Sequence, residues 1–155
     1  MAIKLTRAGL KKMQKELRYL KEDRRPIIID AIATAREKGD LKENAEYDAA
    51  KEAQGVLEGR IAKLETVISD VDILDDKDID ASKAFLGATV ELKDKKRKRE
   101  IQYMLVSKEE ADFEEGKISI ESPVGKALLG KSVGDSVEVT IPAGTLAYEI
   151  IAISR

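Results

Sequence analysis

Leu10-Lys11-Lys12-Met13-Gln14-Lys15-Glu16-Leu17-Arg18-Tyr19-Leu20 carries its apolar residues at 10, 13, 17 and 20, spaced three, four and three. That is the a/d stripe of a coiled coil, and the same phase continues through Arg24, Ile27 and Ala31. A second stripe runs through Tyr47, Ala50, Gln54, Leu57, Ile61, Leu64, Ile68 and Val71. Between the two lies the short breaker Lys38-Gly39-Asp40, so the pattern predicts two long helices folded back as an antiparallel hairpin. Arms of about 30 residues, rising about 1.5 Å per residue, give a rod of about 45 Å. A repeat of 3.5 predicts a left-handed supercoil.

Local signals refine this hairpin. Thr6 suits the N-cap of the first helix, and Asp40-Leu41-Lys42-Glu43 has the spacing of a capping box opening the second. Pro26 has no N–H for the carbonyl of Glu22 and disfavours helical geometry at Arg25, which predicts a bend at 22–26 with the seam resuming in phase. Lys4 to Arg25 carries a net charge of +6, whereas Glu58 to Asp75 holds five acidic and two basic residues. Side by side in a hairpin, these segments pair across the helices and fix the antiparallel register. Gly55 and Gly59 form a GxxxG on a water-exposed helix, which predicts a neighbour packed against that face.

Composition bounds the chemistry. In 155 residues there is no Cys and no His, so thiol catalysis, thiolate metal sites, imidazole bases and imidazole ligands are excluded. Charged residues make up 37% against a usual value of about 25%, and aromatics only 4%, as expected of an extended, solvated helical element. No run approaches the roughly 18 apolar residues of a membrane span, and MAIKLTRAGL lacks the apolar core of a signal peptide, so a cytosolic protein is expected.

After the polar stretch Asp75-Asp76-Lys77-Asp78 the period changes from seven to two. Thr89 to Leu92 and Ile101 to Val106 flank Lys93 to Arg99 as a β-hairpin with a charged turn, and further strands are predicted at Lys117 to Glu121, Ser136 to Ile141 and Leu146 to Ile153. Ser122 and Pro123 start a short helix over Val124 to Leu129, which Gly130 stops. The fold class is therefore α+β: a coiled-coil hairpin over 1–75, a linker at 76–80, and a small globular domain over 81–155 with a mostly antiparallel sheet and one short helix. The basic run Lys95 to Arg99 contains no aromatic and is bracketed by Asp94 and Glu100, so it reads as a solvated hairpin tip rather than a nucleic-acid patch.

The tip of the helical hairpin asks for more than folding. Asp40 and Glu43 stand three apart at a predicted helix start, and two carboxylates there can share one hard cation such as Mg²⁺, weakly unless a partner completes its shell. A capping box uses the same residues, and on spacing alone capping is the simpler reading. Tyr47, in the a/d phase, is expected to anchor the seam.

Gly39-Asp40-Leu41-Lys42-Glu43-Asn44-Ala45-Glu46-Tyr47 resembles the tip motif of the bacterial transcript cleavage factors, the Gre family. Glu121-Ser122-Pro123-Val124-Gly125-Lys126-Ala127-Leu128-Leu129-Gly130 with Val133-Gly134-Asp135 is similar to that family's carboxy-terminal block, and the order of elements agrees over essentially the whole chain. The resemblance implies a factor that is not itself an enzyme, with an FKBP-like carboxy-terminal domain. It implies that the coiled coil enters the secondary channel of RNA polymerase and stimulates hydrolysis of backtracked RNA. Asp40 and Glu43 would then help hold a second Mg²⁺ shared with the polymerase and orient the attacking water. Arg36 and Lys51 would lie near the nascent RNA 3′ end, and Glu121, Ser122 and Pro123 would dock on the polymerase.

Three rival readings remain at this level. A channel-plugging inhibitor of the same fold would favour extra acids at the tip, where Lys38 and Lys42 stand instead. A peptidyl-prolyl isomerase would want aromatic walls, and Phe85, Tyr103, Phe113 and Tyr148 do not cluster in sequence. A dimeric coiled coil would replace the expected monomeric hairpin.

Overall fold

The computed structural model describes residues 3–40, 44–75 and 82–155. Its described residues fall into two compact units, one over 10–71 and the other made of 1–9 together with 72–155. The expected linker at 76–80 lies outside the described residues. The first nine residues and 72–75 group with the globular unit, not with the hairpin as the expected boundary at 75 had it. The physical reason is local pairing: strand β1 (Ile3–Thr6) forms a two-stranded sheet with β2 (Val71–Leu74).

Pro26 shapes the first arm. Helix α1 (Arg7–Tyr19) passes into a π-helical turn over Leu20–Arg24 and then into α2 (Arg25–Glu37). In that turn the N–H of Arg25 reaches the carbonyl of Leu20, five residues back. The helical irregularity thus falls where Pro26 predicts a disturbance, and a π-turn adds a residue to the helical repeat and rotates everything after it. Ile28, Ile32 and Ala35 are buried beyond the turn, while Ile27 is 56% exposed, so the seam does not resume in phase through Ile27 and Ala31.

The second arm, α3 (Ala45–Ser69), buries Ala50, Leu57, Ile61, Leu64 and Val67. Ile28, Ile32, Ala50, Leu57 and Ile61 form one core cluster, with Leu17, Leu20 and Tyr47 packed against it. Across the arms Lys21 meets Glu65 (3.4 Å) and Arg25 meets Glu58 (2.6 Å), the descending order of an antiparallel pair, and Arg60 meets Glu16 (2.9 Å). Exposed pairs of this kind contribute at most about 1 kcal/mol each, so burial holds the arms together and charge selects the alignment. Among the described residues nothing lies within 4 Å of a Cβ built on Gly55 or Gly59, so no neighbour within the described chain packs on the GxxxG face.

In the globular unit β3 (Thr89–Asp94), β4 (Arg99–Val106), β5 (Lys117–Ser119), β6 (Ser136–Ile141) and β7 (Gly144–Ser154) form a sheet of order β5-β4-β3-β7-β6. Its pairs are antiparallel except β4 with β5. β3 alternates, burying Val90, Leu92 and Asp94. The core joins Val90, Leu92, Leu105, Leu128, Tyr148 and Ile150 among others. Helix α4 (Pro123–Leu128) begins at Ser122, whose Oγ accepts the N–H of Gly125 (3.1 Å). Only glycine fits at 125, because a Cβ there would stand 2.0 Å from the carbonyl oxygen of Ser119.

Thr6 caps α1 as expected, its Oγ accepting the N–H of Gly9 (3.0 Å). Glu110, 8% exposed, completes the arrangement: its Oε1 accepts the N–H of Thr6 (2.8 Å) and its Oε2 accepts the Thr6 hydroxyl (2.7 Å). A carboxylate at a helix N-terminus also favours the helix dipole. Among the described residues no helix is long and apolar enough to cross a membrane.

Candidate functional site

The end of the hairpin is built from the last turn of α2 and the first of α3. α2 closes as Lys38 donates to the carbonyl of Ala35 (3.2 Å) and Gly39 to that of Arg36 (3.4 Å). Gly39 then takes φ +118°, a left-handed value that an L side chain rarely adopts, and the chain leaves the helix. Asp40 follows, exposed. Leu41, Lys42 and Glu43 lie outside the described residues, so the expected Asp40–Glu43 pair is placed only through Asp40.

The capping box expected at Asp40-Leu41-Lys42-Glu43 does not open α3. Asn44 is the N-cap, its side-chain oxygen accepting the N–H of Tyr47 (3.1 Å). Both residues have capping chemistry, and Asn44 has a second partner: its amide donates to the carbonyl of Ala35 (2.7 Å) at the end of α2. The N-cap of α3 is therefore Asn44 and not Asp40.

Other ties cross the same end. The Arg36 guanidinium sits 5.9 Å from the centroid of the Tyr47 ring, and Lys38 pairs with Glu46 (2.9 Å). Tyr47 packs against the hairpin core, the anchoring position expected of it. Lys38, Asp40, Asn44 and Glu46 line an open depression. Lys51 is exposed on α3 with its ammonium on the side-chain oxygen of Gln54 (3.0 Å). Among the described residues no three carboxylates converge into a metal site. The Asp40 carboxylate is nonetheless a hard oxygen ligand of the kind Mg²⁺ takes one or two at a time.

The second group, Glu121, Ser122 and Pro123, belongs to the globular unit. Ser122 donates to the carbonyl of Ser119 (2.6 Å) while capping α4, and the N–H of Glu121 donates to Ser119 Oγ (3.0 Å). Ser122 and Pro123 form one wall of a cavity of about 360 Å³, with Tyr103, Phe113 and Tyr148 on others and Arg97 and Arg99 beside them. Sequence separation concealed this gathering: three of the four aromatic residues of this half, unclustered along the chain, share one cavity, and Tyr103 and Phe113 lie 6.1 Å apart. The signal that could have revealed it is the strand pairing, since β3 lies between β4, which carries Tyr103, and β7, which carries Tyr148. Burial pushes the Tyr148 phenol up from its ordinary value.

Comparison with known proteins follows the same division. A family model described as transcription elongation factor, N-terminal, matches residues 3–73, and one described as transcription elongation factor, GreA/GreB, C-term, matches residues 79–155. Transcription elongation factor GreA of Flavobacterium johnsoniae is 53% identical over 150 residues, 97% of this chain and 95% of that one. The GreA of Christiangramia forsetii is 49% identical over the same shares. Among solved structures, GreA factor homolog 1 of Thermus thermophilus is 31% identical, covering 100% of both chains with a TM-score of 0.48. The chain belongs to the GreA/GreB family of transcription elongation factors.

Proposed function

We propose that this transcription elongation factor acts on RNA polymerase by inserting its helical hairpin into the secondary channel, where the tip stimulates the polymerase's own hydrolysis of backtracked RNA. The observation that carries the reading is Asp40, exposed directly after the left-handed Gly39 at the end of the hairpin, with Glu43 three residues further along the chain. Asp40 and Glu43 would hold a Mg²⁺ together with ligands from the polymerase, and that ion would supply Lewis-acid polarisation of the scissile phosphate and a more acidic bound water. The same carboxylates would orient the attacking water by accepting hydrogen bonds from it. Arg36 and Lys51 offset phosphate charge on the extruded RNA. The factor itself is no enzyme in this scheme.

Glu121, Ser122 and Pro123 are proposed to dock on the polymerase, with the adjoining aromatic-walled cavity receiving an apolar side chain from it. The hairpin closes within one chain, α2 against α3, and the factor is proposed to work as a monomer.

A defined backtracked elongation complex, resolved on a gel with and without the protein, tests the reading. Release of short 3′ RNA fragments should accelerate, and Asp40→Ala or Glu43→Ala should abolish the acceleration while polymerase binding persists. Because Asn44 caps α3, Asp40→Ala leaves that helix start intact. Undiminished cleavage with both variants would remove the roles assigned to the tip.

A further inference from the structure

We propose that Asn44 is a positioning residue, locking the end of the hairpin so that Asp40 is presented from a closed frame. This rests on the functional reading above. Three ties join residues before Gly39 to residues after position 43: Ala35 to Asn44 (2.7 Å), Arg36 to Tyr47 (5.9 Å) and Lys38 to Glu46 (2.9 Å). The Lys38–Glu46 pair is exposed and therefore screened by salt. The Asn44 tie ends on Ala35, only 2% exposed, so it is the one least open to competition from water.

One side chain there serves both helix ends. Its oxygen accepts an orphan N–H of α3, and its amide donates a second hydrogen bond to the Ala35 carbonyl of α2, which also accepts the N–H of Lys38. Each helix terminus leaves such groups behind, and here one amide joins the two across the eight residues 36–43. Among good N-cap residues only asparagine carries an acceptor and an NH₂ donor on the same planar group. Aspartate caps as well, but when ionised it has no donor for the Ala35 carbonyl and faces it with a second oxygen. Asn44→Asp therefore separates capping from closure.

The test compares Asn44→Asp with the unmodified chain in three measurements. Helix content by circular dichroism and affinity for polymerase should be unchanged, while the cleavage rate at saturating factor falls about tenfold or more, as expected of a carboxylate displaced by a fraction of an ångström. The Mg²⁺ concentration giving half-maximal stimulation should rise. In the free protein, ¹⁵N relaxation of the Gly39 and Asp40 amides should show greater picosecond-to-nanosecond motion. Asn44→Ser, which caps equally but reaches Ala35 less well, should move in the same direction should Asn44→Asp lose helix. A saturated rate and amide relaxation equal to those of the unmodified chain would overturn the proposal. If the unmodified factor fails to stimulate cleavage, the functional reading falls, and the relaxation measurement still decides whether the lock exists.

Discussion

Asp94 is buried at the end of β3, and its carboxylate bends back over the basic turn to accept the N–H groups of Arg97 (3.1 Å) and Lys96 (3.0 Å). These bonds hold the carboxyl below its ordinary 3.8, with the Arg97 and Arg99 charges acting in the same direction. Since the folded value is the lower one, the ionised carboxylate contributes its full stabilisation above the unfolded value and loses it as pH falls through the folded one. Asn at this position still offers an oxygen to the turn but cannot ionise. The difference in urea midpoint between the unmodified chain and Asp94→Asn should therefore be constant down to about pH 5 and shrink below about pH 4. A difference independent of pH would show that the ionised form has no special role. The sequence identified the basic run as a solvated turn, but that Asp94 ties it down emerges only from the fold.

At the scale of elements, the register of the first arm offers a discriminating experiment. A continuous α-helix would bury Ile27, whereas the π-turn at Leu20–Arg24 delivers Ile28 to the core. Ile28→Ala should cost about 2–5 kcal/mol, because it leaves a cavity among Ile32, Leu57 and Ile61. Ile27→Ala should stay within about 0.5 kcal/mol. Chemical denaturation of the two variants reads this directly, and the reverse order would restore the uninterrupted heptad. The second arm was legible because nothing interrupts its repeat from Tyr47 to Leu64. The first was legible only as far as Leu20, since a π-turn is one of several ways a helix can accommodate Pro26 and only some of them shift the seam. The opening of α3 was misread for a similar reason: Asp40 and Asn44 both cap well, and the tie to Ala35 that favours Asn44 spans the turn, where linear spacing carries no information.

For the molecule as a whole, the two units interleave along the chain, since its first residues belong with its second half. Gly9 marks the seam. Exchanging a helical glycine for alanine ordinarily gains about 1 kcal/mol. Here the added Cβ would stand 2.3 Å from the Glu110 carboxyl carbon and push the carboxylate off Thr6. Gly9→Ala should accordingly destabilise by about 1–2 kcal/mol, the cost of a stranded N–H outweighing the helical gain. A raised urea midpoint would show that Glu110 relocates freely. The clamp also bears on how the chain is made. Thr6 leaves the ribosome 104 residues ahead of Glu110, an interval of roughly 5–20 s at ordinary rates of synthesis. Throughout that delay the nascent helical arms can zip together, whereas Thr6 stays without its carboxylate partner until Glu110 has been synthesised, so the order of translation completes the repeat of the arms before the clamp at the start of the chain.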